Sequence, residues 1–272
     1  MFNLNLGLQT DLLLHAETGR VEQRDDCIVV LTPDTPEYFF GNMLVLPRRP
    51  SSVDLPDLEQ QFAHRVGTGP RIAHRTFTWP ETDPSPVDLS AAERLGYELT
   101  ICDVLVAHPH QLISAAKHEH VVIRALDSQE DWDVWSAMQL ANMPDPHDLA
   151  SQRFIAHQQR AYRELIDRGL GHWWGAFIDG EQAGSLGLFF FDGIARFQSV
   201  VTAPTFQNQG VCKTLVTEAI RLTRDRAESW VIVADESYHA GKIYRSLGFA
   251  PQGRTGSLCH ANVLSPITPE SA

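Results

Sequence analysis

PTFQNQGVCKTL, residues 204–215, sets a proline, a run of amide side chains and a lone glycine directly against an apolar helical pattern. Beyond the glycine, apolar residues recur at Val211, Leu215, Ala219 and Leu222, with Lys213, Glu218, Arg221 and Arg224 elsewhere on the wheel. That spacing predicts an amphipathic helix. The amino end of a helix presents N–H groups without intrahelical acceptors and the positive end of its dipole, so it favours an anion. Gly210 leaves the backbone uncovered for close approach, and Gln207, Asn208 and Gln209 add neutral donors. A plain capping loop has the same composition. The neighbourhood has to decide.

Upstream lie three extended segments, HWWGAFI (172–178), QAGSLGLFFF (182–191) and ARFQSVVTA (195–203). The turn dipeptides Asp179-Gly180 and Asp192-Gly193 separate them and predict an antiparallel meander. VVIRAL (121–126) reads as a strand, followed by two helical stretches, the second ending at Gly169. Downstream, WVIVAD (230–235) is a β-branched strand. Ala240, Ile243, Tyr244 and Leu247 then recur at helical spacing before Gly248, a residue suited to end a helix. The order is β-α-α-β-β-β-α-β-α-β, a mixed α/β fold with a mostly antiparallel sheet and flanking helices.

The run VTAPTFQNQGVCKTL resembles the acetyl-coenzyme A signature of the GNAT superfamily of N-acetyltransferases. In that signature a strand, a proline and an aromatic precede Q/R-x-x-G-x-G/A at the start of a helix. Gln207, Gly210, Cys212 and Leu215 occupy its positions, and ESYHAGKIYRSLGFAPQG is similar to the family's later motif. The resemblance covers residues 120–262 and implies acetyl-CoA as co-substrate, with no metal. It implies that pantetheine fills a gap between the fourth and fifth strands and pairs with the backbone of Val200, Val201 and Thr202. The pyrophosphate would lie on the amides of Gln207, Asn208, Gln209, Gly210, Val211, Cys212 and Lys213. Cys212 stands where Gly or Ala is usual, and Ser237 where Asn is frequent, so the Ser237 contact to the cofactor is expected to be weaker.

Direct attack of an amine on a thioester needs a base, an oxyanion donor and an acid. Tyr244 matches the family's usual acid, although its place on the apolar helix face equally suits packing. ARFQSVVTA carries no carboxylate or histidine, so the common base position is empty. Asp235, Glu236 and His239 cluster after the fifth strand, and Glu236 is taken as the candidate base, with a water relay equally compatible. Trp132 and Trp135 lie on the helix that in this fold shapes the acceptor pocket and are candidate substrate contacts. The acceptor is expected to be a small-molecule or peptide amine. An alternative reading is a catalytically silent acyl-CoA-binding or scaffolding protein.

The first half repeats part of this order. CIVVLTP (27–33) and YFFGNMLVLP (38–47) read as strands, DLEQQFAHRV (57–66) as a helix, RIAHRTFTW (71–79) as extended, SAAERL (90–95) as a short helix and YELTICDVLVA (97–107) as a strand. Pro47 matches Pro204, and Leu95-Gly96-Tyr97 matches Leu247-Gly248-Phe249, with nearly constant spacing. The loop RRPSSVDLPDL has no glycine. These features predict a tandem: a degenerate GNAT-like domain without a cofactor loop over residues 1–112, a linker at 113–119 and a GNAT acetyltransferase domain at 120–272.

The chain has 272 residues, a formal net charge of −12 and a pI of about 5.4, which argues against a nucleic-acid-binding surface. No apolar run reaches membrane-spanning length. The amino terminus, MFNLNLGLQTDLLLHAETG, lacks the basic start of a signal peptide. Four scattered cysteines (Cys27, Cys102, Cys212, Cys259) suggest a reducing cytoplasm. A monomer or homodimer is expected. Cys212 reads as a small buried residue rather than a nucleophile, and the His108/His110 and His118/His120 pairs as solvated linker residues rather than metal ligands.

Overall fold

The chain opens on a helix that no single apolar stripe announces, α1 (Leu6–Thr18), capped by the Asn5 side chain, which accepts from the Leu8 N–H at 3.1 Å. The computed structural model describes residues 2–69, 71–83, 85, 90–113 and 120–261. After α1 come β1 (Arg20–Gln23), β2 (Ile28–Leu31), β3 (Met43–Val45), α2 (Leu55–Arg65), β4 (Arg75–Glu81), α3 (Ser90–Arg94) and β5 (Glu98–Ala107). Next are β6 (Val122–Ala125), α4 (Gln129–Leu140), α5 (Leu149–Asp167), β7 (Gly171–Ile178), β8 (Glu181–Phe191) and β9 (Ile194–Thr202). The chain continues with α6 (Val211–Thr223), β10 (Ser229–Asp235), α7 (Ala240–Ser246) and β11 (Ala250–His260). The result is a mixed α/β fold in which β3–β4 and β9–β10 pair parallel and the other registered pairs are antiparallel.

These elements form two units, Met1–Val104 with Asp235–Ser237 and Gln252–Ala272, and Leu105–Ala234 with Tyr238–Pro251. The expected linker, 113–119, lies outside the described residues beyond Ile113, His118 included. The units are not contiguous in sequence. From Gln252 onward β11 belongs to the first, because it lines up antiparallel with β4, Arg254 opposite Glu81 through His260 opposite Arg75. Pairing there removes what would be an open strand edge on β4.

In the first unit the strand order is β1-β2-β3-β4-β11-β5. The stretch 38–47, expected as one strand, is strand only over Met43–Val45. Phe39–Gly41 form a 3₁₀ turn. Asn42 causes the break: its amide donates to the carbonyls of Thr35 and Tyr38, and its oxygen accepts from Thr32 N–H. Phe62, Phe77, Trp79 and Leu258 pack the core. Beside them, Arg75 donates to Glu59 at 2.7 Å with both side chains fully buried, and the Tyr97 hydroxyl donates to the other Glu59 oxygen.

In the second unit the order is β10-β9-β8-β7-β6. Asp179 and Gly180 have φ of 50° and 85°, and Asp192 and Gly193 43° and 81°. Two successive positive values give the hairpin turns the dipeptides predict. Period-two alternation assigns β8 to two faces. Leu186 and Leu188 join Val211, Leu215 and Ala219 of α6. Phe189 instead meets Tyr162 of α5, and Trp173 packs on Trp132 and Trp135 of α4. A Cβ at Gly187 would stand 2.6 Å from the Trp173 ring, so glycine there makes room for that indole.

Candidate cofactor cleft and active site

β9 and β10 start together and then part. Their parallel register covers Ile194–Arg196 against Ser229–Val231 and ends there among the described residues. β9 stays attached on its other side, with Val201 opposite Ser185 and Thr202 opposite Gly184. Between these regions Ser199 and Val200 face the single residue Leu186, and Ser199 has φ 44°. Such a bulge bends its strand, and this one lies just beyond the last β9–β10 pair.

Below the opening, the loop turns sharply into α6. Asn208 has φ 61°, and Gly210 caps the helix at φ 78°, ψ 0°. Asparagine tolerates that region and glycine occupies it freely. The Gly210 carbonyl accepts from Thr214 N–H at 3.0 Å and from its hydroxyl at 3.1 Å. No side chain caps the helix, so the amides of Val211, Cys212 and Lys213 lack intrahelical acceptors.

The strand gap and this helix end open on one cleft of about 400 Å³ within the second unit. Val200, Thr202, Gln207, Asn208, Gly210, Val211, Cys212 and Lys213 line it, together with Tyr244. Lys213 and His239 supply the basic groups, and among the described residues no carboxylate lines it. Tyr244 is buried, and burial, with Cys212 and Tyr238 nearby, pushes its pKa up. Its hydroxyl therefore keeps its proton at neutral pH. Burial also raises the Cys212 thiol to about 11, partly offset by Lys213, which makes it a poor nucleophile.

Other expected site residues lie elsewhere. Val201 is not part of the lining; its carbonyl is near the position a Cβ of Gly184 would take. Gln209 turns back to donate to the Thr205 carbonyl at 2.9 Å. Ser237 spends its N–H and hydroxyl on Asp235, at 2.8 and 2.7 Å. Glu236 is exposed, with its N–H donating to Ile101 and its carboxylate 3.9 Å from Arg254, and it does not line the cleft. Trp132 and Trp135, at 2% and 1% exposure, are packed into the aromatic cluster around Trp173. Conversely, Phe206, Tyr238, Ala240 and Ile243 line the cleft without having been expected there. For Ala240 and Ile243 the signal was the i, i+3, i+4 stripe shared with Tyr244.

The fold has counterparts among known proteins. Residues 135–249 match the acetyltransferase (GNAT) family. The GNAT match runs from within α4 to Phe249 and so contains every residue that lines the cleft. The chain has the fold of a conserved protein of unknown function from Staphylococcus epidermidis (TM-score 0.71, 15% identity, covering 90% of this chain and 95% of that one). It is also similar to a GCN5-related N-acetyltransferase from Kribbella flavida (TM-score 0.62, 14% identity, 94% and 96% covered). A tandem GNAT protein from the clavulanic acid biosynthesis pathway is a further neighbour (TM-score 0.54, 13% identity, 78% and 69% covered). No curated protein matches the chain in sequence.

Proposed function

We propose that the GNAT unit transfers an acetyl group from acetyl-CoA to a primary amine by direct attack. The observation that carries this reading is the coincidence, in one cleft, of an open strand edge, an uncapped helix end and a protonated buried tyrosine. A diphosphate fits the helix end: three free amides and Lys213 favour an anion, and no lining carboxylate opposes it. When bound, acetyl-CoA supplies an acyl carbon activated as a thioester. The unpaired backbone of β9 at Val200 and Thr202 holds the pantetheine arm by strand-like hydrogen bonds. Tyr244 gives its proton to the departing sulfur as the C–S bond breaks and the C–N bond forms. The amine proton passes to water, because among the described residues no carboxylate lines the cleft. Glu236, outside the lining, is left no direct part. Cys27, Cys212 and Cys259 carry free thiols, and we place the protein in the cytoplasm as a monomer or homodimer.

The missing carboxylate favours one other reading, a silent acyl-CoA binder. Following free thiol while acetyl-CoA is incubated with a panel of primary amines separates the two. Transfer predicts amine-dependent thiol release that Tyr244→Phe lowers about 100-fold while donor affinity changes little. Donor binding with no thiol release for any amine would overturn transfer.

A further inference from the structure

β9 changes character at Gln198. Upstream, Arg196 and Phe197 are buried, and Arg196 still lies opposite Val231 of β10. Past the end of that ladder Gln198 and Val201 are half-buried and Ser199 is exposed.

The two sides of this stretch face different surroundings. Val200 and Thr202 line the cofactor cleft on the α6 side. Gln198 points the other way. It lies opposite Gly187, and directly opposed residues share a face of the sheet. A Cβ at Gly187 would stand 2.6 Å from the Trp173 ring, on the side of α4 and α5. Val201, opposite Ser185, shares that face, because the bulge at Ser199 inserts an extra residue between them. Gln198 is therefore the first residue beyond the closed ladder to stand beside the strand gap on the face away from the cleft. The Ser185 hydroxyl on the same face is enclosed. The Gln198 amide is within a ligand's reach, and no group among the described residues bonds it.

Acyl transfer needs such a group on that face. With the donor held on the α6 side of β9, an amine meets the acyl carbon from the opposite side of the sheet, past Gln198. We infer that Gln198 positions the acceptor: its Oε1 accepts from one N–H of the incoming primary amine and aims the nitrogen lone pair at the acyl carbon. This role rests on the transfer reading. As the C–N bond forms and the C–S bond breaks, the surplus proton on nitrogen passes to water and Tyr244 gives its own to sulfur. Gln198 accepts a hydrogen bond throughout and takes up no proton. Orientation of this kind accelerates attack without tightening the donor.

The test uses CoA and a bisubstrate analogue in which a methylene-carbonyl link joins the CoA sulfur to propylamine, so that an amide N–H stands in place of the attacking one. In calorimetry on the full chain, Gln198→Leu should weaken the analogue about three- to ten-fold. Gln198→Glu, which keeps an acceptor oxygen, should preserve its affinity. CoA should bind the native chain and both variants alike, which also shows that the variants fold. For primary amines that release thiol, Gln198→Leu should lower kcat/KM for the amine about ten-fold and leave the KM of acetyl-CoA unchanged. Undiminished analogue binding in Gln198→Leu, equal losses in the two variants, or loss of CoA together with the analogue would overturn the role. Failure of CoA to bind the native chain would overturn the transfer reading, and this role with it.

Discussion

The helices that follow Pro47 and Pro204 start from equivalent strand ends and begin in opposite ways. In the first unit the parallel ladder runs on to its end: Leu44 and Val45 pair with Phe77 and Thr78, and Leu46 N–H reaches the Thr78 carbonyl at 2.7 Å. Arg49 then bonds Glu81 at 2.7 Å and the Asp83 carbonyl at 3.1 Å. At the start of α2 the Asp54 carboxylate accepts from Ser51 N–H and hydroxyl at 2.7 and 2.8 Å, which holds its pKa below the usual carboxylate range. In the second unit the ladder stops at Arg196, and α6 starts from a bare glycine. Ala92 stands where the second unit has Tyr244, since Gly96 and Gly248 mark the same stop 152 residues apart. That stop is made alike in both. Leu95, Gly96 and Tyr97 donate to Ala92, Glu93 and Ala92 just as Leu247, Gly248 and Phe249 donate to Tyr244, Arg245 and Tyr244. The same framework becomes structural when its own side chains take the strand gap and helix end. It becomes a binding site when they are left open.

Breaking the closed unit at its buried charge should have the largest effect. Glu59 lies on α2 at the position that Val216 holds on α6, and Glu59→Gln leaves Arg75 buried without its counter-charge. Urea unfolding should show a loss of about 3–5 kcal/mol; a change within error would mean the pair does not hold this unit together. Acid should be nearly as damaging through His74, fully buried with a ring nitrogen 2.9 Å from the Asn42 carbonyl. Burial lowers its pKa to about 4, whereas the unfolded chain takes up the proton near 6.5. Its contribution is therefore present above pH 6.5 and declines as the pH falls toward 4, by about 3 kcal/mol in all. His74→Phe should flatten that part of the stability–pH curve, and an unchanged slope would assign the acid sensitivity elsewhere. A smaller effect belongs to Asp54→Ala, which should cost about 1 kcal/mol. Because the ladder beside it stays closed, the variant should gain no acetyl-CoA site. A second site appearing in it would make Asp54 alone the reason the first unit does not bind.

Much of the second unit was legible because its signals are local. Asp179-Gly180 and Asp192-Gly193 fix turns, Gly248 fixes a helix end, and Gly210 before Val211 fixes the cap. The departures come from non-local causes. α1 was missed because Leu6, Leu8, Leu12, Leu13 and Leu14 surround the helix rather than mark one face. YFFGNMLVLP read as a continuous strand because nothing in its composition shows Asn42 bonding three distant backbone groups. The partner of β11 could not be read because register against β4, some 180 residues earlier in the chain, leaves no trace in either strand. Tyr238 was not singled out because it belongs to no apolar stripe, and Trp132 and Trp135, read as core aromatics with one a candidate substrate contact, are buried in the core.

Calorimetric titration of the full chain with acetyl-CoA tests the central claim most directly, alongside Gly210→Val. One site per chain is expected, weakened about 100-fold or lost when a β-branched residue must adopt φ 78° and cover the amides of α6. Two sites per chain, or undiminished binding in Gly210→Val, would contradict an account in which only the open unit holds the cofactor.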